Sequence, residues 1–212
     1  MQLLLSFQSV KTFIFLLLLS RHVSLSSAEA HPHTGKVTPF KAGDPGVKLN
    51  GSALKTLSSG KPHSTQIQFA AGFRGISVQD VQAPTDIVWR KILDFDCYNE
   101  MAPKTAESEI YRTENLRHGQ KRIWVRMKVG NPMLKLQYFV NHLYDPHKHS
   151  MTWTLDYSKK SDFDDSAGHW YIAKHPDRPD YTRVHYSVEV SMFPWVPQFV
   201  VDIMSKQALT GT

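Results

Sequence analysis

"KRIWVRMKVGNPMLKLQYFVNHLYDPHKHSMTWTLDY", residues 121–157, alternates apolar and polar side chains through three successive runs. Ile123, Val125, Met127 and Val129 stand against Arg122, Trp124, Arg126 and Lys128. After Asn131-Pro132, the residues Leu134, Leu136, Tyr138 and Val140 stand against Lys135, Gln137, Phe139 and Asn141. After "DPHKHS", Met151, Trp153, Leu155 and Tyr157 stand against Thr152, Thr154 and Asp156. Successive side chains of a strand point to opposite faces, so each run predicts a strand with one buried and one wet face. Connections this short join antiparallel neighbours, because a parallel crossover needs a dozen or more residues.

The pattern continues outward. "AESEIYRTEN" (106–115) precedes the turn "RHGQ". "AGHWYIAKH" places Trp170 and Ile172 on one face, and "TRVHYSVEVSM" alternates Val184, Tyr186, Val188 and Val190 against Arg183, His185, Ser187 and Glu189. "GISVQDVQA" adds a strand with Ile76, Val78 and, after a slip of register, Val81. Two stretches switch to helical spacing. "PTDIVWRKILDFDCYNEMAP" (84–103) opens with a proline suited to a first turn, sets Trp89 and Leu93 on one face, and ends near 94–96 before an irregular turn through Tyr98. "VPQFVVDIMSKQAL" (196–209) carries the stripe Phe199, Val200, Ile203 and Met204. The predicted fold is α+β, a curved antiparallel sheet of about six to seven strands wrapped on a C-terminal helix. Such a sheet buries its apolar face against the helix and leaves either a filled core or a pocket between them.

Ahead of this domain the chain changes character. Lys11 precedes the apolar run from Phe13 to Leu19, and Ala28-Glu29-Ala30 offers a small-x-small cleavage pattern. Residues 1–30 read as a signal peptide, with a mature chain starting near His31, because the run is far shorter than the ~20 residues that span a bilayer. This predicts entry to the secretory route, to the outside or to an organelle reached through it, such as a complex plastid. Residues 31–72, rich in Gly, Pro, Ser, Thr and Lys, read as a flexible lead-in with one short ordered piece near Ala53–Leu57, and 73–210 as the folded domain. Asn50-Gly51-Ser52 is a glycosylation sequon at Asn50.

Composition narrows the function. The chain has 212 residues, 41% hydrophobic and 21% charged, which is ordinary for a globular domain. A formal charge of +6 and a pI near 9.3 favour anionic surfaces, including peripheral contact with a membrane. The basic residues alternate with acidic ones and carry no nucleic-acid motif, so no nucleic-acid partner is expected. Cys97 is the only cysteine, which excludes an intrachain disulfide and reads as a buried, inert thiol.

Chemistry-bearing clusters are thin. His31-Pro32-His33 reads as a solvated terminus, His147 and His149 as exposed turn residues beside His142, and "DFDD" (162–165) as an exposed acidic connection. Arg126 and His185 lie opposite the apolar alternation and point to solvent; a bulge would turn either toward a ligand head group. No catalytic residue, metal site or cofactor is assigned.

The stretch "VQAPTDIVWRKILDFDCYNEMAPKTAESEIYR" resembles the opening of START-like (SRPBCC) domains of the coenzyme Q-binding and polyketide cyclase-dehydratase type, through Ala83, Pro84, Val88, Trp89, Leu93, Asp94, Phe95, Tyr98 and Pro103. "MTWTLDY", "AGHWYIAKH", "TRVHYSVEVS" and "WVPQFVVDIMSKQAL" echo the same order, so the resemblance covers residues 74–209. It implies a helix-grip fold whose sheet and long helix enclose a cavity for an apolar ligand. Related proteins bind lipids, sterols, quinones or polyketides, and some catalyse cyclisation or hydrolysis in the cavity. The leader is not an Arg-rich presequence, so the mitochondrial quinone role of similar proteins does not carry over unchanged.

The leading expectation is therefore a non-catalytic, monomeric binder or carrier of a hydrophobic small molecule. Trp89, Leu93, Tyr98 and Met101 form one end of the enclosure. Val125, Met127, Leu136, Tyr138, Trp153, Leu155, Trp170 and Tyr186 line the sheet, and Phe199, Ile203 and Met204 close it. Burial of each contributes about 1.5–3 kcal/mol, so core packing explains any one of them as well. The alternatives are a cyclase- or hydrolase-like enzyme, which needs a titratable residue facing inward, and an interaction module for an acidic partner or a membrane surface.

Overall fold

A computed structural model describes residues 29–33, 35–69, 71–102, 104–131, 134–196 and 201. Eight strands form one antiparallel sheet: β1 (His63–Phe69), β2 (Gly72–Val81), β3 (Thr105–Asn115), β4 (Lys121–Asn131), β5 (Leu134–Asp145), β6 (Ser150–Leu155), β7 (Asp165–Lys174) and β8 (Thr182–Ser191). Their order across the sheet is β1-β2-β8-β7-β6-β5-β4-β3. A first helix, α1 (Gly51–Ser58), precedes the sheet. The chain leaves β2 and reaches the far edge, β3, through α2 (Thr85–Ile92), a 3₁₀ turn (Phe95–Cys97) and the short helix α3 (Tyr98–Met101). The architecture is α+β, a curved sheet consistent with a helix grip, with one strand more than the alternation predicts.

The extra strand is β1, which comes from the segment read as a lead-in. Only Ile67 and Phe69 among its residues are large and apolar, and both are exposed, at 69% and 39%. An edge strand with no buried face leaves no period-two signal to read. The helix α1 lies at the expected Ala53–Leu57 piece, and both of those side chains are buried. Asn50 caps it, its Oδ1 accepting from the Ala53 amide at 2.9 Å. Such a cap contributes about 1 kcal/mol.

Register follows the alternation closely. β4 pairs with β5 without a slip, setting Val125 opposite Val140 and Met127 opposite Tyr138. β2 also pairs with β8 without a slip, so Ile76 and Val78 face one side and Val81 the other; the expected slip is absent. Arg126 points outward as expected, held between Glu107 at 2.9 Å and Glu109 at 2.7 Å on β3.

The outer face is less wet than the alternation suggests. Residues 31–33 and 35–50 run across it as a strap. The Lys36 and Val37 amides donate to Asp165 Oδ2 at 2.5 and 2.7 Å, Gly43 N donates to Ser150 Oγ at 2.9 Å, and Phe40 stacks on His169 with centroids 6.3 Å apart. His185 lies outward but is buried, against Tyr171, and so does not reach solvent. Three expectations of exposure are corrected by the same strap. His31 is buried and bonded to the Asp164 carbonyl at 2.8 Å. Asp164 and Asp165 are buried, because Lys36, His33, Tyr157 and backbone amides satisfy their oxygens. Polar residues on a strand read as solvent-facing until another segment brings hydrogen-bond partners to them.

The inner face carries two contiguous apolar clusters. One gathers α2 and the 3₁₀ turn (Val88, Trp89, Ile92, Phe95) onto Ile123, Val125 and Met151. The other gathers Phe73, Leu155, Phe163, Val188 and Val190, and buries Val201.

Candidate functional site

Between these clusters the inner face encloses a cavity of about 210 Å³. The strands build most of it because their inward positions are consecutive period-two residues: Met127 and Val129 from β4, Tyr138, Val140 and His142 from β5, Trp153 from β6, and Tyr186, Val188 and Val190 from β8. The 3₁₀ turn and α3 bring Phe95 and Tyr98 to one end, and Phe163, ahead of β7, reaches in against Tyr138 with centroids 4.6 Å apart. A second cavity of about 360 Å³ lies between α2 and strands β2 and β8, lined by Val81, Ile87, Val88, Ile92 and Val184 with Ser77, Gln79 and Lys91. Trp170 and Tyr186 line both, with ring centroids 4.6 Å apart, and form the partition between them. Taken together the two volumes fall in the ~300–1,000 Å³ range of small-molecule sites.

A few polar groups converge on the smaller cavity. His142 is 5% exposed, between the rings of Phe95 at 4.5 Å and Trp153 at 5.8 Å. Burial pushes its pKa down to about 3, against a smaller raising contribution from the Ile123 backbone, so the imidazole is neutral near pH 7. Its Nδ1 has no hydrogen-bond partner among the described residues. The Tyr98 hydroxyl donates to the Ile92 carbonyl at 2.6 Å. Burial pushes the Tyr98, Tyr138 and Tyr186 phenols up, and Tyr138 adds to the rise at both Tyr98 and Tyr186. Lys104 is the one charged residue on this lining among the described residues; it is exposed and holds a left-handed backbone, φ 64°.

Of the residues named from sequence, Tyr98, Met127, Tyr138, Trp153, Trp170 and Tyr186 line the cavity. Trp89, Val125 and Leu155 are buried in the adjoining clusters, and Leu93 and Leu136 pack against them half-buried. Met101 is 39% exposed and lies apart from the lining. Phe199, Ile203 and Met204 lie outside the described residues. Sequence reasoning missed His142. Its signal was present, since extending the alternation of β5 by two residues from Val140 turns it inward. Phe73, Phe95 and Phe163 were missed because they sit at strand ends or in turns, where period has no meaning.

Among the described residues no group of three or more His, Cys, Asp or Glu is placed to hold a metal ion. His31 and His33 bring their Nε2 atoms within 3.2 Å, but His31 Nδ1 accepts from Ser161 N, so its proton sits on Nε2 and points to the Asp164 carbonyl. His147 and His149 are exposed, as expected. Cys97 is half-exposed, not buried, and the Asp94 carboxylate beside it pushes the thiol pKa up, which keeps it unreactive. Asn50 is exposed while serving as a helix cap. No described helix is long and apolar enough to cross a membrane.

A family described as polyketide cyclase / dehydrase and lipid transport has a model that matches residues 81–211. Among solved structures, TTHA0849 from Thermus thermophilus superimposes with a TM-score of 0.51 at 16% identity, covering 63% of this chain and 87% of that one. The 18 kDa protein CC1736 from Caulobacter crescentus gives 0.51 at 16% identity, covering 64% and 86%. The Zhui aromatase/cyclase from a Streptomyces species gives 0.48 at 15% identity, covering 69% and 82%. The first two similarities speak to the fold. No curated protein matches the sequence.

Proposed function

Because the chain belongs to the polyketide cyclase / dehydrase and lipid transport family, we propose that it binds and carries a hydrophobic small molecule on the inner face of its sheet without transforming it. The observation that carries this reading is the aromatic-lined cavity of about 210 Å³ continuing, past Trp170 and Tyr186, toward a second of about 360 Å³. Desolvation of apolar surface drives binding at about 25 cal/mol per Å², and the few polar groups set orientation. Protein purified from cells should carry a stoichiometric apolar compound into a solvent extract, detected by mass spectrometry. An extract with nothing apolar at that level, from protein that also fails to bind added apolar probes, sinks the carrier reading.

One observation favours a second reading, an acid–base enzyme of the cyclase kind. His142 is a titratable residue on the cavity lining and neutral near pH 7, the inward-facing kind of group that acid–base chemistry requires. Turnover of a poly-carbonyl substrate, lost in His142→Phe, would decide for it.

The leader sequence supports a location on the secretory route. N-terminal sequencing of secreted material should begin near His31, and an intact Met1 would overturn this. We also propose that the carrier acts as a monomer and exchanges its guest by transient membrane contact. The exposed Trp195, at 76%, suits that role. Gel filtration with light scattering and vesicle co-sedimentation test the two claims.

A further inference from the structure

Large apolar side chains exposed one at a time are ordinary, whereas a contiguous group marks a contact surface. Of the six exposed large apolar residues among the described ones, three fall at one corner of the sheet: Ile67, Phe69 and Trp195. The register places them there. Phe69 pairs with Gly72, Gly72 with Ser191 and Ser191 with Asp165, so the end of β1 and the chain leaving β8 share one end of the sheet. Met192 N donates to the Ala71 carbonyl at 2.6 Å and ties the β1–β2 turn to that chain. Trp195 then stacks on Phe193 with centroids 5.8 Å apart.

Cations flank this corner. Phe193 packs on His31 at 5.8 Å, and His31 accepts from the amide of Ser161, next to Lys160. Lys160 is 59% exposed, and its partner Glu29 lies in the segment read as a leader, so cleavage before His31 removes that carboxylate. Lys135, near the start of β5, and Lys104, just ahead of β3, are exposed at the same end and make no ion pair among the described residues. Asp164 and Asp165 nearby are buried and already bonded.

We propose that this corner is an interfacial anchor: Ile67, Phe69 and Trp195 enter the headgroup layer of an anionic bilayer while Lys104, Lys135 and Lys160 meet its negative groups. This rests on the carrier reading and says where, and on which lipids, its membrane contact is made. An indole, apolar with one polar edge, sits at headgroup depth, and each lysine held near anionic lipid adds attraction. A second copy of the chain is the rival occupant, but it would bring the same lysines back against each other with a formal +6 on each chain. The lining of the smaller cavity reaches this end through Phe73, beside Gly72, and Val129, opposite Thr105, so docking here sets that end of the cavity toward the bilayer.

Co-sedimentation with vesicles of phosphatidylcholine, alone or with about a third phosphatidylserine, tests this. The wild type should bind the mixed vesicles about tenfold more tightly than the neutral ones. Trp195→Ala should weaken that binding about tenfold and Ile67→Ser by a similar factor. Leu54→Ser should leave it unchanged, because that 45% exposed residue lies on α1, which leads into the far end of β1. Brominated lipid should quench tryptophan fluorescence in the wild type and lose most of its effect in Trp195→Phe, since the other four tryptophans are buried or half-buried. All variants share one N-terminus, so differences between them report the corner. No preference for anionic vesicles, an equal loss in Leu54→Ser, or quenching that persists in Trp195→Phe overturns the inference. So does a dimer, seen by light scattering, that disperses in Ile67→Ser; the corner then seats a second copy. None of these outcomes touches the carrier reading, which binding of an apolar probe such as 2-naphthol in vesicle-free solution judges separately, because neither Trp195 nor Ile67 lines a cavity.

Discussion

Trp153 lies flat against Gly168, its direct partner across β6 and β7, so closely that a Cβ on Gly168 would stand 1.9 Å from the indole Cζ2. The glycine is there to admit the ring. Trp153 in turn stacks on Tyr186 with centroids 5.8 Å apart and walls the cavity. Gly168→Ala therefore displaces the indole into the cavity or out of the core. Overpacking of this kind costs about 1–3 kcal/mol. Urea denaturation should show that loss, and binding of an added apolar aromatic probe such as 2-naphthol should weaken. Unchanged binding would mean the cavity wall lies elsewhere.

Gly72 gives a contrast. A Cβ there would meet the Val190 carbonyl oxygen at 2.0 Å, which is backbone and cannot rotate away. Gly72→Ala must push β2 from β8 and should destabilise more than Gly168→Ala in the same urea titration.

Asp80 holds two guanidinium groups and an imidazole on the outer face: Arg183 at 2.7 Å, Arg178 at 2.6 Å and His175 at 3.0 Å. Burial by itself would raise its carboxyl, but the Arg183 hydrogen bond and charge, helped by His175 and Arg178, hold it below the usual carboxylate range. Asp80→Ala leaves two guanidinium groups packed without their anion. Breaking a buried pair from one side costs about 3 kcal/mol or more. Chemical denaturation at pH 7 should show it, and a loss under ~1 kcal/mol would mean that water already screens the cluster.

The inner face was legible in the sequence and the outer face was not. Alternation such as Ile123, Val125, Met127 reports which residues share a side, and the β4–β5 register agrees with it residue by residue. Met127, Tyr138, Trp153, Trp170 and Tyr186 were named for the cavity this way, and His142 was within reach. Alternation does not report what covers the polar side. His169, His185 and Asp165 are polar residues with polar spacing, yet all are buried. Their cover comes from residues 31–33 and 35–50, more than a hundred positions earlier, whose low apolar content reads as unstructured. Backbone amides there make the key bonds, and amides have no sequence signature.

That strap makes a prediction of its own. Asp165 Oδ2 accepts from the Lys36 and Val37 amides, and Oδ1 accepts from the Tyr157 hydroxyl at 2.9 Å. Asp165→Ala removes these acceptors at a buried site and should cost about 1–3 kcal/mol. Hydrogen exchange should rise first in residues 36–43, before the sheet opens. Exchange rising equally everywhere would show that the strap is not a separate unit.

The buried histidines set the response to acid. Burial pushes His142 down to about 3, and burial also lowers His169 and His185 from the ordinary histidine value. In the unfolded chain each takes a proton near pH 6.5. Between that pH and the folded value, the unfolded state binds more protons than the folded one, so stability falls as pH falls. Their stabilising contribution is complete above about pH 7 and declines below it, by about 1.4 kcal/mol per pH unit for each ring that stays neutral when folded. Asp80, Asp145 and Asp156 are lowered too, burial opposing their hydrogen bonds, but they lose stability only below the carboxylate range. Between about pH 4.5 and 6.5 the histidines therefore act with little carboxylate interference. Urea midpoints across this window should drop steeply in the wild type. His142→Phe should flatten the slope by the share of one ring while leaving the carboxylate limb below about pH 4 in place. An identical slope in the variant would mean that His142 protonates in the folded state near its ordinary pKa, and is not held neutral inside the cavity.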